Sequence, residues 1–444
     1  MHVRLIAPRG EDSTPVKPLW AAVLAAHTPE DVELSFQDAS IQAVDIDPPS
    51  PVPDLVGISV NTKTAAEAYR VADVYRRIGS LVVLGGVHAS LVPHEAACHA
   101  DAIVIGEGEG LWTEVVRDAR SRRLRPIYRR EGWIDLAGLP LPRRDLLRSP
   151  KYVPFDVVQT ARGCPFPCEF CSVSVYHGRH FRFRPVREVM QELEQVSRRV
   201  LIGDDNVMVH TSRGRELLRA MVPLRKHWVG QCSLAALHRP DNVDLLAKSG
   251  CKALFIGFES VNRDATRATG KQQNDPRRYY EVVRRLADAG IAVWGSFVFG
   301  LDGDDIDSLT RTVDFCIDAK LTVALFALLT PYPGTRLYDR LLQEGRLVSP
   351  TWWLDPGHEK LSPFFEPRHM SRSTLRDAWV HAWLRMYSLP SIARRYDPGR
   401  DHTWVQNLAY WPLNLTMREL ARRKIAGGKI AWRDDRRFDM PLGF

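Results

Sequence analysis

At 444 residues with 45% hydrophobic and 26% charged composition, the chain is long enough for more than one core, since single cores rarely grow past about 250–300 residues. The net charge of +8 is concentrated in residues 371–444, where 14 Lys and Arg face 7 Asp and Glu, so the basicity is a property of the tail. No apolar run approaches the roughly 18 residues that a membrane-spanning helix needs, and the opening MHVRLIAPRG does not read as a signal peptide.

Residues 2–8, 55–60, 81–87 and 102–106 are short apolar runs ending in glycine or polar residues, the pattern of buried parallel strands. Between them, 64–78 and 110–119 place apolar residues at helical spacing. This alternation predicts a Rossmann-like, doubly wound α/β domain over residues 1–120. The Pro- and Arg-rich stretch 121–152 has no sustained period and reads as a linker.

A second series of strands is expected at 156–161, 199–203, 229–234, 253–258, 292–299 and 321–329, with helices such as 186–198 between them. Six such units predict a partial (β/α)6 barrel over residues 153–340, with chemistry at the carboxyl ends of its strands. The rhythm then stops. Residues 341–444 are expected to form a mainly helical extension rich in tryptophan and arginine.

Of the seven cysteines, three crowd into one loop, Cys164-Pro-Phe-Pro-Cys168-Glu-Phe-Cys171, whose spacing is CxxxCxxC. An odd number of cysteines so arranged points to metal ligation in a reducing cytoplasm rather than disulfides. An iron–sulfur cubane takes four cysteine ligands, so three leave one iron open. Zinc is the competing occupant, but zinc ribbons use paired CxxC knuckles and no second pair occurs here. Cys232, Cys251 and Cys316 fall in or beside predicted core elements and read as small buried hydrophobes.

The segment Arg162–Cys171 (RGCPFPCEFC) resembles the cluster loop of radical S-adenosylmethionine (SAM) enzymes, particularly those with an N-terminal cobalamin-binding domain, and the resemblance extends over about residues 1–340. It implies a [4Fe–4S] cluster on Cys164, Cys168 and Cys171, with SAM chelated on the open iron and cleaved reductively to a 5′-deoxyadenosyl radical. A one-electron donor such as a flavodoxin or ferredoxin is implied with it. Phe170 is placed among the SAM contacts. Asp204 and Asp205, in IGDDN after the second barrel strand, are carboxylates suited to SAM's amino group; the competing role is a helix cap. Glu259 ends a segment similar to the family's GFES, where it would accept hydrogen bonds from the ribose or methionine moiety. Ser296 and Gly300, in VWGSFVFGLDGD, match the strand that lines the adenine, unless Gly300 merely packs before a turn. Thr330–Thr335 (TPYPGT) resembles a segment in which Tyr332 faces substrate, or else forms a rigid Pro-bracketed turn.

In the first domain, Ser59, Asn61 and Thr62, then Gly85, Gly86, Val87 and His88, then Gly106, Glu107 and Gly108 follow successive predicted strands. These loops look like those that cover the corrin in the cobalamin-dependent branch. His88 reads equally as a satisfied strand-end histidine, and Glu107 and Glu109 as helix N-terminal carboxylates. No Asp-x-His-x-x-Gly follows the first strand, so no histidine is expected beneath the cobalt.

The resemblance implies a cobalamin-dependent methyltransferase acting on an unactivated carbon of a small-molecule or lipid-like substrate. The alternative is a radical SAM cyclase, crosslinking or rearrangement enzyme that transfers no methyl group. Nucleic acid is not an expected partner, since no segment resembles an appended RNA-binding domain. Within Trp411–Trp432, Arg418, Arg422, Arg423 and Lys424 alternate with Leu413, Leu415, Leu420 and Ile425. Two fates follow for this segment: peripheral contact with the anionic inner face of a membrane, or packing on the barrel.

Overall fold

The computed structural model describes residues 1–10, 15–46, 51–355, 361–398 and 404–427, with side chains from 409 onward in the last of these. Two compact units result. The first is Met1–Phe155 joined by residues 332–334 and 351–355; the second begins at Asp156 and takes the rest.

In the first unit the strands β1 (His2–Ala7), β2 (Glu33–Asp38), β3 (Leu55–Ser59), β4 (Leu81–Gly85), β5 (Ala102–Ile105) and β6 (Ile127–Arg129) form one sheet in the order β2-β1-β3-β4-β5-β6. Every pairing is parallel. Alternation along β1 sends Val3 and Leu5 to one face, against Trp112 and Val115 of the helix Leu111–Arg120. Ile6 goes to the other face, against Tyr69, Ala72 and Tyr75 of the helix Ala65–Arg77. The strand order reverses between β1 and β3, and in open α/β sheets ligands settle beyond the carboxyl ends at such a point.

Two strands escape the sequence pattern. β2 is only half buried and alternates polar with apolar residues, while β6 has three residues of which only Tyr128 is buried. The expected linker 121–152 is therefore corrected: β6 extends the sheet, and Leu147 and Tyr152 pack against Ala22. The Tyr152 hydroxyl donates to Asp38 at 3.0 Å.

The second unit carries β7 (Asp156–Val158), a short antiparallel hairpin of β8 (Ala161–Arg162) and β9 (Arg182–Phe183), and then β10 (Arg199–Ile202), β11 (His227–Gln231), β12 (Cys251–Glu259), β13 (Ala292–Phe299) and β14 (Val323–Leu328). Its main sheet has the order β14-β13-β12-β11-β10-β7, all parallel, as a partial (β/α)6 barrel requires. All six carboxyl ends thus lie on one side. Phe258, Phe297, Phe315 and Phe326 stack through the core with ring centroids 5.5–6.1 Å apart.

β14 is an edge strand, and edges need cover. The helix Arg372–Met386 supplies it: Trp379 and Trp383 are buried and both indole N–H groups donate to the Phe326 carbonyl, at 2.8 and 3.1 Å. In the helix Trp404–Gly427, Ala421 is buried in the same core, Arg418 donates to the Tyr387 carbonyl at 2.9 Å, and Lys424 sits over the Trp379 ring at 5.3 Å. Of the two fates read for this segment, its inner face takes the packing one. Residues 428–432 of the expected segment lie outside the described residues. No described helix is long and apolar enough to cross a membrane.

Candidate cluster and cofactor sites

The loop holding Cys164, Cys168 and Cys171 leaves β8 and returns toward β9, just past the carboxyl end of β7. It enters through Gly163, at φ +88°, where a Cβ would stand 2.0 Å from the His180 carbonyl; only glycine fits. On the far side, Glu169 N donates to the Thr269 carbonyl at 3.0 Å. A Cβ on Gly270 would lie 2.6 Å from the Pro167 carbonyl, so a bare backbone is needed there for the loop to approach.

Burial raises the Cys164 thiol, and it pushes Cys168 up to about 12. Metal binding must therefore displace protons, which makes loading of this loop pH-dependent. The charge of Cys171 is felt at both Cys164 and Cys168. Among the described residues no three His, Cys, Asp or Glu side chains converge on a point that would hold a single ion. A cubane asks for something different, one thiolate at each of three separate corners, and the donor set fits that demand.

The strand ends around this loop sort the expected contacts. Asp204 is buried and spends its carboxylate on Thr160 N (2.6 Å), Ala161 N (3.0 Å) and the Thr160 hydroxyl. Burial pushes it up to about 6. It thereby ties β10 to the strand before the cysteines, a role other than the one expected of it toward SAM's amine. Asp205 accepts Gly163 N at 2.9 Å, and its charge is felt at Cys164. Glu259, at φ +65°, sits where β12 slips register against β13. Such a conformation in a non-glycine residue persists only where surroundings enforce it.

Asn274 and Tyr279 hold the Gly257 and Phe258 carbonyls beside Glu259, and its side chain is met by Lys271, a residue without an obvious sequence signal. Its ammonium pairs with the Glu259 carboxylate and donates to the Gly257 carbonyl at 3.1 Å. Burial works against its charge, but Glu259 and Cys168 more than offset this and raise its pKa. Lys271 is in turn felt at Cys164 and Cys168, so the pair stands beside the thiols. Nearby in sequence, the Gln273 side-chain nitrogen is buried with no partner, as is the Ser233 hydroxyl at the end of β11. Unmatched buried polar atoms of this kind suit a polar ligand. Ser296 lies on β13 opposite Gly257, and Phe170 is half buried against the core. Gly300 abuts Leu375 and Phe365, so packing alone is enough to require a glycine there.

In the first unit the expected loops do gather at the carboxyl ends of adjacent strands: Ser59, Asn61 and Thr62 after β3, Gly85 to His88 after β4, Gly106 to Gly108 after β5. Val87 and His88 open the short helix Val87–Leu91. A Cβ on Gly86 would meet the Val60 carbonyl at 3.0 Å, and the uncovered backbone suits a flat ligand. His88 is fully buried, with Nδ1 3.3 Å from the Thr62 hydroxyl and Nε2 3.1 Å from Glu95. Both ring nitrogens are thus engaged. Glu95 also accepts from the Tyr69 hydroxyl (2.8 Å) and the Trp353 indole (3.0 Å). Tyr332, expected to face substrate, belongs to this unit with its ring 6.2 Å from that of Trp352. Glu107 is buried and accepts Ile134 N at 3.2 Å, which gives it a structural role in the loop after β5.

Comparison with known families matches residues 158–316 to the radical SAM superfamily and residues 11–116 to the B12 binding domain. The chain belongs to the radical SAM enzymes that carry an N-terminal B12-binding domain. Residues 335–421 of this radical SAM enzyme match a domain of unknown function, DUF4070. Among relatives, it is 29% identical to a bacteriochlorophyllide d C-12(1)-methyltransferase of Chlorobaculum tepidum over 83% of this chain and 81% of that one. It is 25% identical to a hopanoid C-2 methylase of Rhodopseudomonas palustris over 96% and 82%. Its fold matches that of the radical SAM methyltransferase TsrM from Kitasatospora setae at a TM-score of 0.69, with 17% identity, covering 96% and 99%.

Proposed function

We propose that this radical SAM enzyme is a cobalamin-dependent methyltransferase acting on an unactivated carbon of a small-molecule or lipid-like substrate. One observation carries the reading: a three-cysteine loop at the carboxyl end of a parallel barrel shares its chain with a B12-binding domain. When bound, the cluster with SAM supplies a carbon-centred radical, and cobalamin supplies the methyl group.

The chain's own residues divide the binding work. Cys164, Cys168 and Cys171 hold the cluster. Asp205 accepts a hydrogen bond from the amino group of SAM's methionine moiety. Lys271 has three N–H donors, of which Glu259 and Gly257 take two, and the third serves the methionine carboxylate. Glu259 holds Lys271 in place and turns toward SAM's ribose, with Ser296 and Phe170 lining the same pocket. The loops Ser59–Thr62, Gly85–His88 and Gly106–Gly108 would receive the corrin, and His88, engaged on both nitrogens by Thr62 and Glu95, would not be a cobalt ligand.

A flavodoxin- or ferredoxin-like donor delivers the electron. The outer face of the helix Trp404–Gly427 exposes Trp411 and Leu415 with Arg422 and Arg423, which supports peripheral contact with an anionic membrane at the cytoplasmic side. Anaerobic reconstitution tests the binding half of this reading. The full chain should carry one cluster and retain cobalamin through gel filtration, and Cys164→Ala, Cys168→Ala or Cys171→Ala should lose the cluster alone. Full iron in those variants would refute the assignment.

A further inference from the structure

The domain of unknown function opens with the helix Arg336–Gln343, and the first turns of that helix grip the cluster loop. Leu337 N donates to the Glu169 carbonyl at 3.0 Å, and Arg336 donates to the Pro167 carbonyl. One turn on, Arg340 pairs with the Glu169 carboxylate at 2.8 Å. The same guanidinium also binds Asp302, in the turn just after Gly300 at the end of β13. Asp302 is held from its other side by Arg346 at 2.8 Å.

We propose that Arg340 is a positioning residue of the radical SAM site: it ties the cluster loop, through Glu169, to the turn after β13, through Asp302, so that the domain of unknown function holds the cluster loop in register with the carboxyl end of the barrel. Isolated surface ion pairs contribute little. This one differs in three respects. Its two carboxylates are only 16% and 18% exposed, so they are poorly screened. The planar guanidinium reaches both with separate nitrogens, a geometry that lysine does not reproduce. Glu169 lies between two cluster cysteines, so movement of its side chain moves the ligands.

The inference rests on the radical SAM reading, and the experiment separates the two. Wild type, Arg340→Gln, Arg340→Lys, Glu169→Gln and the Arg340→Gln/Glu169→Gln double variant are reconstituted with iron and sulfide. Three things are then read: the rate of iron loss to a chelator, the electron paramagnetic resonance line shape of the reduced cluster with and without SAM, and KM and kcat for SAM cleavage. Arg340→Gln and Glu169→Gln should each lose iron roughly tenfold faster, and the double variant should be no worse than Arg340→Gln, because partners in one contact are not additive. KM for SAM should rise more than kcat falls, the SAM-induced change in line shape should weaken, and Arg340→Lys should recover only part of each effect. Where Arg340→Gln fails to fold, Glu169→Gln decides alone, since it leaves Arg340 its contact with Asp302. Wild-type iron loss, line shape and KM in Glu169→Gln would overturn the proposal, whereas a wild-type chain that takes up no cluster would overturn the radical SAM reading instead.

Discussion

Lys271 donates into the carboxylate of Glu259 from twelve residues farther along the chain, and this ion pair stands beside the cluster cysteines. Burying one charge without its partner costs about 3–5 kcal/mol, whereas replacing both by neutral groups is often close to neutral. Lys271→Met should therefore lower the thermal midpoint clearly, and Lys271→Met/Glu259→Gln should recover most of it. SAM affinity should fall by about tenfold or more in both variants, since each lacks the ammonium for SAM's carboxylate. Restoration of SAM binding along with stability in the double variant would assign the pair to the fold alone.

How far the sequence exposes this site follows from which interactions are local. Three thiolates in one loop carry their chemistry in their spacing, so Cys164, Cys168 and Cys171 are readable directly. Asp205 and Glu259 stand out as candidates because they follow apolar runs. Lys271 and Arg340 do not, because each acquires its role only when a connection folds back onto the cysteine loop. The one local hint for Lys271 is that it follows Gly270, the glycine over which the loop passes. Asp204 and Asp205 are indistinguishable in sequence, and only the fold shows that the first is consumed by Thr160 and Ala161. Edge strands β2 and β6 lack the continuous apolar run of a buried parallel strand. The tryptophans of the extension suggest an interface by composition, yet Trp379 and Trp383 are buried caps for a carbonyl of β14.

His88 bears on the state of bound cobalamin. With Nδ1 against Thr62 and Nε2 against Glu95, both its ring nitrogens already face protein partners. His88→Gln should therefore leave the absorption spectrum of bound hydroxocobalamin in the wild-type, histidine-free form, even where affinity drops. A spectral shift on substitution, seen at full occupancy, would show that His88 is a cobalt ligand.

Asp304 gives a pH signature. Burial pushes its carboxyl up to about 7, against partial relief from the Leu301 and Gly300 N–H groups that it accepts. The folded chain thus holds this proton more tightly than the unfolded chain, whose carboxyl titrates near 3.8. Stability from this group is complete below about pH 4 and is lost as pH rises through about 7. Asp304→Asn removes the titration, so wild-type stability relative to the variant should decline across that window. A constant difference from about pH 4 to 8 would contradict this account of Asp304.

The outer face of the C-terminal helix gives a binding prediction. The full chain should sediment with anionic liposomes and not with neutral ones, and salt should release it, because attraction between exposed charges is screened beyond about 8–10 Å at physiological ionic strength. Trp411→Ala/Leu415→Ala should weaken sedimentation without changing SAM cleavage. Equal, negligible sedimentation with both lipids at low salt would remove the membrane from the account.

The central claim is methyl transfer by radical chemistry, and product analysis with SAM carrying a deuterated methyl group tests it most directly. Anaerobic protein loaded with cluster and cobalamin is given a low-potential reductant and a small-molecule extract of the source cells. The account predicts S-adenosylhomocysteine and 5′-deoxyadenosine in equal amounts, together with a product that has gained the labelled methyl group on carbon. Formation of 5′-deoxyadenosine without S-adenosylhomocysteine, with a cyclised or rearranged product free of label, would contradict it.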